Sequence, residues 1–287
     1  MPVTRSSSTH ARAGFTLVEM LLAMIIFLVT ASLIYISMQL MEKVQRSASE
    51  KAGNQLTVRS GSQTVAAELR EVNNVVSSGS SDLVAISSSG VTYWAMRNSG
   101  MTCQVSSNEV RIRLGSTYSG YRLPVMLRDS LLVFRDRDTT SVADDQWVQH
   151  PILGPASNST CPDGAAALAI NVGGGVVVAD YQVPGPVRTF ELMRLAITTS
   201  GGRQYLGAQS LSGGGGMEPV IGPITSGGLQ FVYRDQAGAI TNVPSAVRTI
   251  DLTVRSESSR PVTTLGGGVG ALLSDSLALR VLLRNAR

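Results

Sequence analysis

Histidine and cysteine are nearly absent from this sequence. Among 287 residues there are two histidines, His10 and His150, and two cysteines, Cys103 and Cys161. The cysteines lack the C-x-x-C spacing of a zinc site, and a Ser-His-Asp triad would depend on His150 without a G-x-S-x-G turn. The glycine-rich segments also lack the G-x-x-x-x-G-K-[ST] phosphate loop and the G-x-G-x-x-G pattern between strand and helix. The sequence therefore predicts a protein that is not an enzyme, with no catalytic residue, no metal site and no cofactor.

Charged and aromatic residues are also scarce. They make up 15% and 5% of the chain, and the formal net charge is only +4. This balance is too even to predict nucleic-acid binding from charge, and the aromatic residues do not alternate with a basic stripe. Nucleic acid as a partner stays an open alternative at this point.

Residues 15–41 form a long apolar run in which Glu19 is the only charged side chain. As a helix the run would span roughly 40 Å, enough to cross a bilayer. A cleavable secretory signal would have a shorter apolar core and a small-x-small cleavage site. An ordinary anchor fits the length but leaves Glu19 unexplained, because a carboxylate there costs about 2–3 kcal/mol unless it is paired or near the interface.

The stretch ARAGFTLVEMLLAM, residues 11–24, resembles the prepilin leader of type IV pilins and type II secretion pseudopilins. The resemblance implies cleavage by a prepilin peptidase between Gly14 and Phe15, with methylation of the new Phe15 amine. Glu19 would be the family's acid four positions later. Burying the Glu19 carboxylate together with the ammonium of a neighbouring subunit costs less free energy than burying either charge alone. Glu19 would therefore set the axial register between neighbouring subunits during assembly.

The same resemblance predicts a non-enzymatic minor pilin or minor pseudopilin that starts or caps a filament. Its partners would be the prepilin peptidase, other minor pilins or pseudopilins, the major pilin and the inner-membrane assembly platform. Arg5 and Arg12 precede the apolar run, and positive charge favours a cytoplasmic N-terminus. The downstream region would then be periplasmic, and later part of a pilus or pseudopilus. A filament-tip binding module, an adhesin or DNA-uptake component, is the alternative.

Beyond Met41 the apolar residues follow a helical period, which predicts one long helix over residues 15–76 with weak points or tolerated glycines at Gly53 and Gly61. Alternating and apolar runs then predict strands. The predicted strands are 83–87, 91–96, 109–114, 130–136, 167–172, 176–183, 188–199, 228–235, 247–255 and 276–284.

These patterns predict an α+β fold in which the second half of the helix packs on an antiparallel sheet. The predicted organisation is a leader at 1–14, the membrane and amphipathic helix at 15–76, and a β-rich domain at 77–287. The C-terminal part resembles the ends of larger minor pilins of the PilW and GspJ (PulJ) type. The resemblance lies in the order of three segments, GLQFVYRDQAGAITN, VRTIDLTVR and LALRVLLRN.

Two further features have alternative interpretations. Cys103 and Cys161 would form a disulfide in an oxidising compartment, or stay two partly buried thiols. The run 134–145 contains Asp136, Asp138 and Asp144, together with Asp145. Such a run suits either a calcium ion or, since the glycine and glutamate of an EF-hand are missing, a solvated charged turn. The charged turn is the favoured interpretation.

Overall fold

The computed structural model describes residues 16–74, 81–141, 144–262 and 270–284. The chain divides into two compact units, Met1–Glu50 with Pro261–Ala271 and Lys51–Arg260 with Leu272–Arg287. The helix α1 runs over Leu17–Arg70 without interruption at Gly53 or Gly61. The strands are β1 Leu83–Ser87, β2 Gly90–Val105, β3 Glu109–Arg113, β4 Ser119–Gly120, β5 Asp129–Arg135, β6 Gln146–Pro151, β7 Ser157–Thr160, β8 Ala166–Asn171, β9 Pro186–Ser200, β10 Arg203–Ser210, β11 Glu218–Arg234, β12 Thr249–Glu257 and β13 Ser274–Leu282.

These strands form one antiparallel sheet in the order β13-β12-β11-β10-β9-β2-β3-β8-β7. Strands β1 and β4 also pair with β2, and β5 pairs with both β9 and β6. The α+β fold predicted from the sequence, a long helix with an apolar N-terminal part and an antiparallel sheet, is confirmed.

The main core lies between the C-terminal part of α1 and the sheet. Val58, Val65 and Leu69 point from the helix onto Tyr93 of β2 and onto a set of buried aliphatic side chains of β10 to β13. These include Leu206, Ile221, Ile250, Leu252 and Val281. The helical spacing of these three residues predicted this buried stripe, whereas Leu56, expected on the same stripe, is exposed.

A second core fills the other end of the sheet. It consists of buried aliphatic residues from β2, β3, β5 and β8 and the following loops: Val105, Val110, Ile112, Leu131, Val133, Ile152, Leu168, Ile170 and Val172. Alternate burial along β3 and β5 matches the period of two that predicted these strands.

One predicted element boundary and one predicted element type are wrong. The helix ends at Arg70, not at Val76, because Asn73 and Asn74 leave it to bond elsewhere: the Asn73 amide donates to Asp82, and the Asn74 side chain donates to backbone carbonyls near β12. The predicted strand at 176–183 instead contains a short 3-10 helix, Val178–Asp180. Its apolar residues do not alternate in burial, and the Asp180 carboxylate is held by Arg137 at 2.9 Å.

Strands β4, β6, β7 and β10 were not predicted. Their sequences are short or polar, as in SNST of β7 and RQYLGAQS of β10, and carry little periodic signal. Each of them pairs with a neighbouring strand; β10, for instance, pairs with β9 over eight consecutive positions from Arg203 to Ser210.

Candidate functional site

The helix N-terminus is closed by a hydrogen-bonded box between Thr16 and Glu19. The Thr16 backbone N–H and hydroxyl both donate to Oε2 of Glu19 at 3.0 Å, and the Glu19 N–H donates to the Thr16 hydroxyl at 3.3 Å. This is a capping box, T-x-x-E, and it satisfies backbone donors that the first helical turn leaves unpaired. Gly14 and Phe15, the predicted cleavage and methylation positions, lie outside the described residues.

The following segment of α1 is apolar and uncovered. Its most apolar 18-residue window has a mean hydropathy of 2.6 and none of it is buried, so the helix is long and apolar enough to cross a membrane. The hydroxyls of Thr30 and Ser32 donate to carbonyls one turn back in the same helix. Within the described helix, these polar groups are therefore satisfied internally, as a bilayer requires.

A cluster of charged side chains lies in the sheet unit, and its Arg97 also donates to Glu68 in the last turn of α1 at 3.3 Å. Its centre is Glu191 of β9, whose side chain is fully buried. Arg97 donates to Glu191 at 2.7 Å, Arg122 at 3.1 Å and Arg128 at 2.5 Å. Burial raises the pKa of Glu191, but hydrogen bonds from Ser210, Arg128 and Arg97 outweigh it and lower the pKa to about 2. Glu191 is thus a carboxylate at every physiological pH.

The cluster also fixes one end of a loop. The buried Asp129 carboxylate binds Arg122 through both oxygens and accepts the Val125 backbone N–H at 2.8 Å. Bidentate arginine contacts of this kind are strong and directional. We call this group the charged cluster; it consists of Arg97, Arg122, Arg128, Asp129 and Glu191. The sequence did not predict it, because its partners lie in distant parts of the chain.

The loop held by the charged cluster displays apolar side chains to solvent. This apolar loop, residues 121–127, contains exposed Tyr121, Leu123, Val125, Met126 and Leu127, of which Tyr121 is 86% exposed. Leu127 has φ 62°, in the left-handed region that non-glycine residues rarely occupy. Exposed apolar side chains and local strain on a rigid support are typical of interaction surfaces.

Cys103 and Cys161 are joined by a disulfide, with 5.6 Å between their Cα atoms. It connects β2 to the residue that follows β7, and both cysteines are buried beside Ala167 of β8. The bond closes a loop with a sequence separation of 58 residues. It lies at the β7 end of the sheet.

Only three of the four aspartates in the run 134–145 lie close together in the structure. Asp136, Asp144 and Asp145 bring carboxylate oxygens within 4.8 Å of one another, and Asp138 is not part of this group. Instead Asp138 accepts from Thr140, and Asp144 accepts the backbone N–H groups of residues 137 and 138. Burial and the neighbouring carboxylates raise the pKa of Asp136. These hydrogen bonds hold the turn, and its interpretation as a charged turn stays a prediction.

His150 is buried in β6 and bonded on both ring nitrogens. Nδ1 lies 3.2 Å from the Gly173 carbonyl and Nε2 lies 2.9 Å from the Tyr181 hydroxyl. Because a carbonyl only accepts, Nδ1 carries a proton in this arrangement, and the second hydrogen bond joins Nε2 to the tyrosine hydroxyl. These contacts give His150 a structural role in the second core.

One comparison with known proteins gives a match. The family described as the prokaryotic N-terminal methylation motif matches residues 9–35, which include Thr16, Glu19 and the start of the apolar helix. Comparison with curated proteins and with solved structures gives no match. The prepilin-type motif implies processing by prepilin peptidase and assembly with other pilins, and with the apolar helix it is consistent with membrane anchoring. Together these features support a type IV pilin-like or pseudopilin protein.

Proposed function

We propose that this protein is a minor pilin or minor pseudopilin of the PilW or GspJ (PulJ) type that initiates or caps assembly of a type IV pilus or type II secretion pseudopilus. The observation that carries the proposal is the methylation motif over residues 9–35, which leads directly into an uncovered apolar helix. Residues 1–14 would be the leader, helix α1 the membrane and packing segment, and residues 77–287 the β-rich domain outside the inner membrane.

Glu19 has one carboxylate oxygen available for assembly. Both bonds from Thr16 go to Oε2, and Oε1 has no partner among the described residues. Cleavage after Gly14 creates a new ammonium on Phe15. In the water-poor bundle of a filament, a neighbour's ammonium paired with Oε1 would offset the cost of burying both charges. A subunit in the wrong axial register would leave both charges unpaired.

The first test is the intact mass and N-terminal sequence of the chain purified from membranes, with and without the prepilin peptidase. A chain that begins at methylated Phe15 only when the peptidase is present supports the proposal. A chain that still begins at Met1 or Pro2 would make residues 15–41 an ordinary anchor. Gly14→Leu should leave an uncut precursor, since the peptidase would lose its glycine.

The role of Glu19 can be separated from its cap. Glu19→Gln keeps an oxygen that accepts from Thr16 but removes the charge, whereas Thr16→Ala removes one side of the cap and keeps the charge. We expect both variants to be inserted and cut, and only Glu19→Gln and Glu19→Ala to enter the initiating complex poorly. Co-purification of Glu19→Gln with partner pilins at the wild-type level would contradict a register role for the charge.

A second candidate function is a filament-tip binding module. The apolar loop favours it, because the loop exposes five large apolar side chains and is held by the buried Asp129 carboxylate, which binds Arg122 and the Val125 N–H. Tyr121→Ser combined with Leu123→Ser should then abolish adhesion of cells while leaving the number of filaments unchanged. For a DNA ligand, filter binding across a salt series should show the steep slope that phosphate contacts impose. Weak binding that ignores salt would reject the DNA version.

A further inference from the structure

Strand β9 presents a second face, opposite to the one that packs in the cores. Side chains alternate between the two faces of a strand, and the odd-numbered residues Val187 and Leu195 lie in the two cores. The even-numbered residues therefore point to the opposite side, which we call the outer face. On β9 the outer face begins with Arg188, Phe190, Leu192 and Arg194.

The neighbouring strands extend the outer face with large apolar side chains. Residues directly opposite each other on paired strands share a face. The pairing of β9 with β2 and β5, and of β5 with β6, adds Trp94, Met96, Leu132, Phe134 and Trp147. These five side chains are partly exposed, belong to neither core and include both tryptophans of the chain. Tryptophan, phenylalanine, methionine and arginine are enriched where proteins bind one another.

The two arginines of the outer face have no bound carboxylate. In the part of the chain that the structure describes, neither the Arg188 nor the Arg194 side chain forms a hydrogen bond or an ion pair. The Arg188 guanidinium lies over the Trp147 ring, 4.6 Å from its centre. Burial and the charge of Arg284 lower the pKa of Arg188, and the charge of Asp82 raises it. Asp82 and Arg284 have partners of their own, the Asn73 N–H and Glu71.

This arrangement is suited to binding carboxylates. A guanidinium stacked on an aromatic ring keeps the N–H groups along its edge available for bidentate contact with a carboxylate. A partly buried cation without an anion is unfavourable, and a bound carboxylate would relieve that cost. Arg188 and Arg194 are six residues apart on one strand, so about 20 Å separates them along the strand. Leu192 lies between them, beside Trp94.

We propose that the outer face of β2, β9, β5 and β6 binds another protein, one that presents two carboxylates about 20 Å apart with apolar side chains between them. One carboxylate would accept a bidentate contact from Arg188, and the other would bind Arg194. The apolar side chains would cover Trp94, Met96 and Leu132.

Charge and shape select this occupant. Two copies joined through the outer face would set arginines against arginines, and like charges across an interface are unfavourable. A bilayer also fits poorly, because the apolar side chains are only partly exposed on a sheet face and do not project as those of an interfacial helix do. All residues of the outer face lie outside residues 9–35, so the proposal does not rest on the methylation motif.

The test places the photo-crosslinking amino acid p-benzoyl-phenylalanine at Gln149 of the full chain in cells. Gln149 is exposed and lies opposite Leu132, which in turn lies opposite Arg188. The same amino acid at Ser276, an exposed position of β13, is the control for position. We expect irradiation to join the Gln149 variant, and not the Ser276 variant, to a different protein, which mass spectrometry of the crosslinked peptides identifies.

Charge variants then decide whether the arginines select that protein. Arg194→Glu reverses an exposed charge, and Arg188→Gln removes the stacked cation; each should reduce the yield of the Gln149 crosslink at least fivefold. Arg255→Glu makes the same charge reversal at an exposed arginine of β12 and should leave the yield within twofold. Replacing the contacting carboxylate residue of the identified protein by arginine should restore the crosslink to Arg194→Glu.

Urea unfolding followed by tryptophan fluorescence checks that each variant is folded, and Arg194→Glu decides alone if Arg188→Gln is not. Absence of a crosslink at Gln149, or a yield that a folded arginine variant leaves unchanged, would overturn the proposal. An equal loss of yield in Arg255→Glu would overturn it as well, by showing a general effect of charge. A crosslink only to a second copy or only to lipid would overturn it by identifying a different occupant.

Discussion

Gly61 and Gly53 lie in the same helix but in opposite surroundings, and they form a natural pair for a stability test. A Cβ added at Gly53 would meet nothing within 4 Å. A Cβ added at Gly61 would stand 3.0 Å from Cδ1 of Ile221 and closer still to Cγ1. Ile221 lies on β11 and is fully buried, so it has no free volume to turn into. The glycine at 61 therefore allows α1 to approach the sheet closely.

The expected energies follow from two opposing effects. Alanine is favoured over glycine in a helix interior by about 1 kcal/mol, and both substitutions gain this. At Gly61 the new methyl must displace Ile221 by roughly 1 Å to reach ordinary carbon contact distances of about 3.5–4.0 Å. Overpacking of this kind costs about 1–3 kcal/mol. Gly53→Ala should thus raise the free energy of unfolding. The free energy of unfolding of Gly61→Ala should be about 1–3 kcal/mol lower than that of Gly53→Ala.

Urea unfolding of the detergent-solubilised chain, followed by tryptophan fluorescence, measures both values. Ile221→Ala in the Gly61→Ala background supplies the decisive control, because it removes the atoms that the new methyl meets. The two changes should be non-additive by about 1–3 kcal/mol, whereas independent sites add to within about 0.5 kcal/mol. Equal stability of the two glycine variants, or additivity with Ile221→Ala, would refute the close-packing role of Gly61.

Three further predictions concern the sheet unit. Replacing Cys103 and Cys161 together by serine should lower the free energy of unfolding by about 4 kcal/mol, because the unfolded chain is no longer closed into a loop with a separation of 58 residues. A wild-type chain with the same free energy of unfolding in the presence and absence of dithiothreitol would contradict this. Glu191→Gln should cost about 1–3 kcal/mol, because it takes the buried carboxylate away from Arg97, Arg122 and Arg128, which are partly exposed and can bind water instead, and urea unfolding at pH 7 would detect it. Burial raises the pKa of Asp82 to about 6, against opposing effects of the Asn73 N–H and Arg188. The folded chain therefore holds this proton more tightly than the unfolded chain, so stability should fall by up to about 3 kcal/mol as pH rises from 4 to 6, and Asp82→Asn should remove that slope.

The parts of the fold that sequence alone predicted are those with a local period. Val58, Val65 and Leu69 repeat along one helix face, and the alternating residues around Ile250 and Leu252 mark one face of β12. The capping box was readable as well, since T-x-x-E stands before the apolar run, but Thr16 was not recognised as the partner of Glu19. Local signals of this kind need no knowledge of distant residues.

The charged cluster could not be predicted because its bonds join distant parts of the chain. Arg97 and Glu191 are 94 residues apart, and Arg122 and Glu191 are 69 apart. In sequence each is one charge among neutral neighbours, and only the pairing of β2 with β9 and of β9 with β5 brings them together. The same reasoning applies to the ends of elements: Asn73 and Asn74 end the helix by bonding to residues that no local pattern connects to them.

Helix α1 carries two different surfaces, one apolar all round and uncovered, the other a narrow stripe packed on the sheet. From Leu17 to Met41 the apolar side chains surround the helix and are exposed, so this part needs an apolar environment from outside the chain, such as lipid or neighbouring helices. From Val58 to Leu69 burial is confined to one stripe, Val58, Gly61, Ser62, Val65, Ala66 and Leu69, which the sheet covers. Small residues at 61, 62 and 66 let the backbone approach the sheet closely, which ties this part of the helix to the folded unit. A substitution such as Gly61→Ala should therefore disturb the sheet unit while leaving membrane insertion unchanged, and Glu19→Gln should do the reverse, affecting assembly without lowering the stability of the sheet.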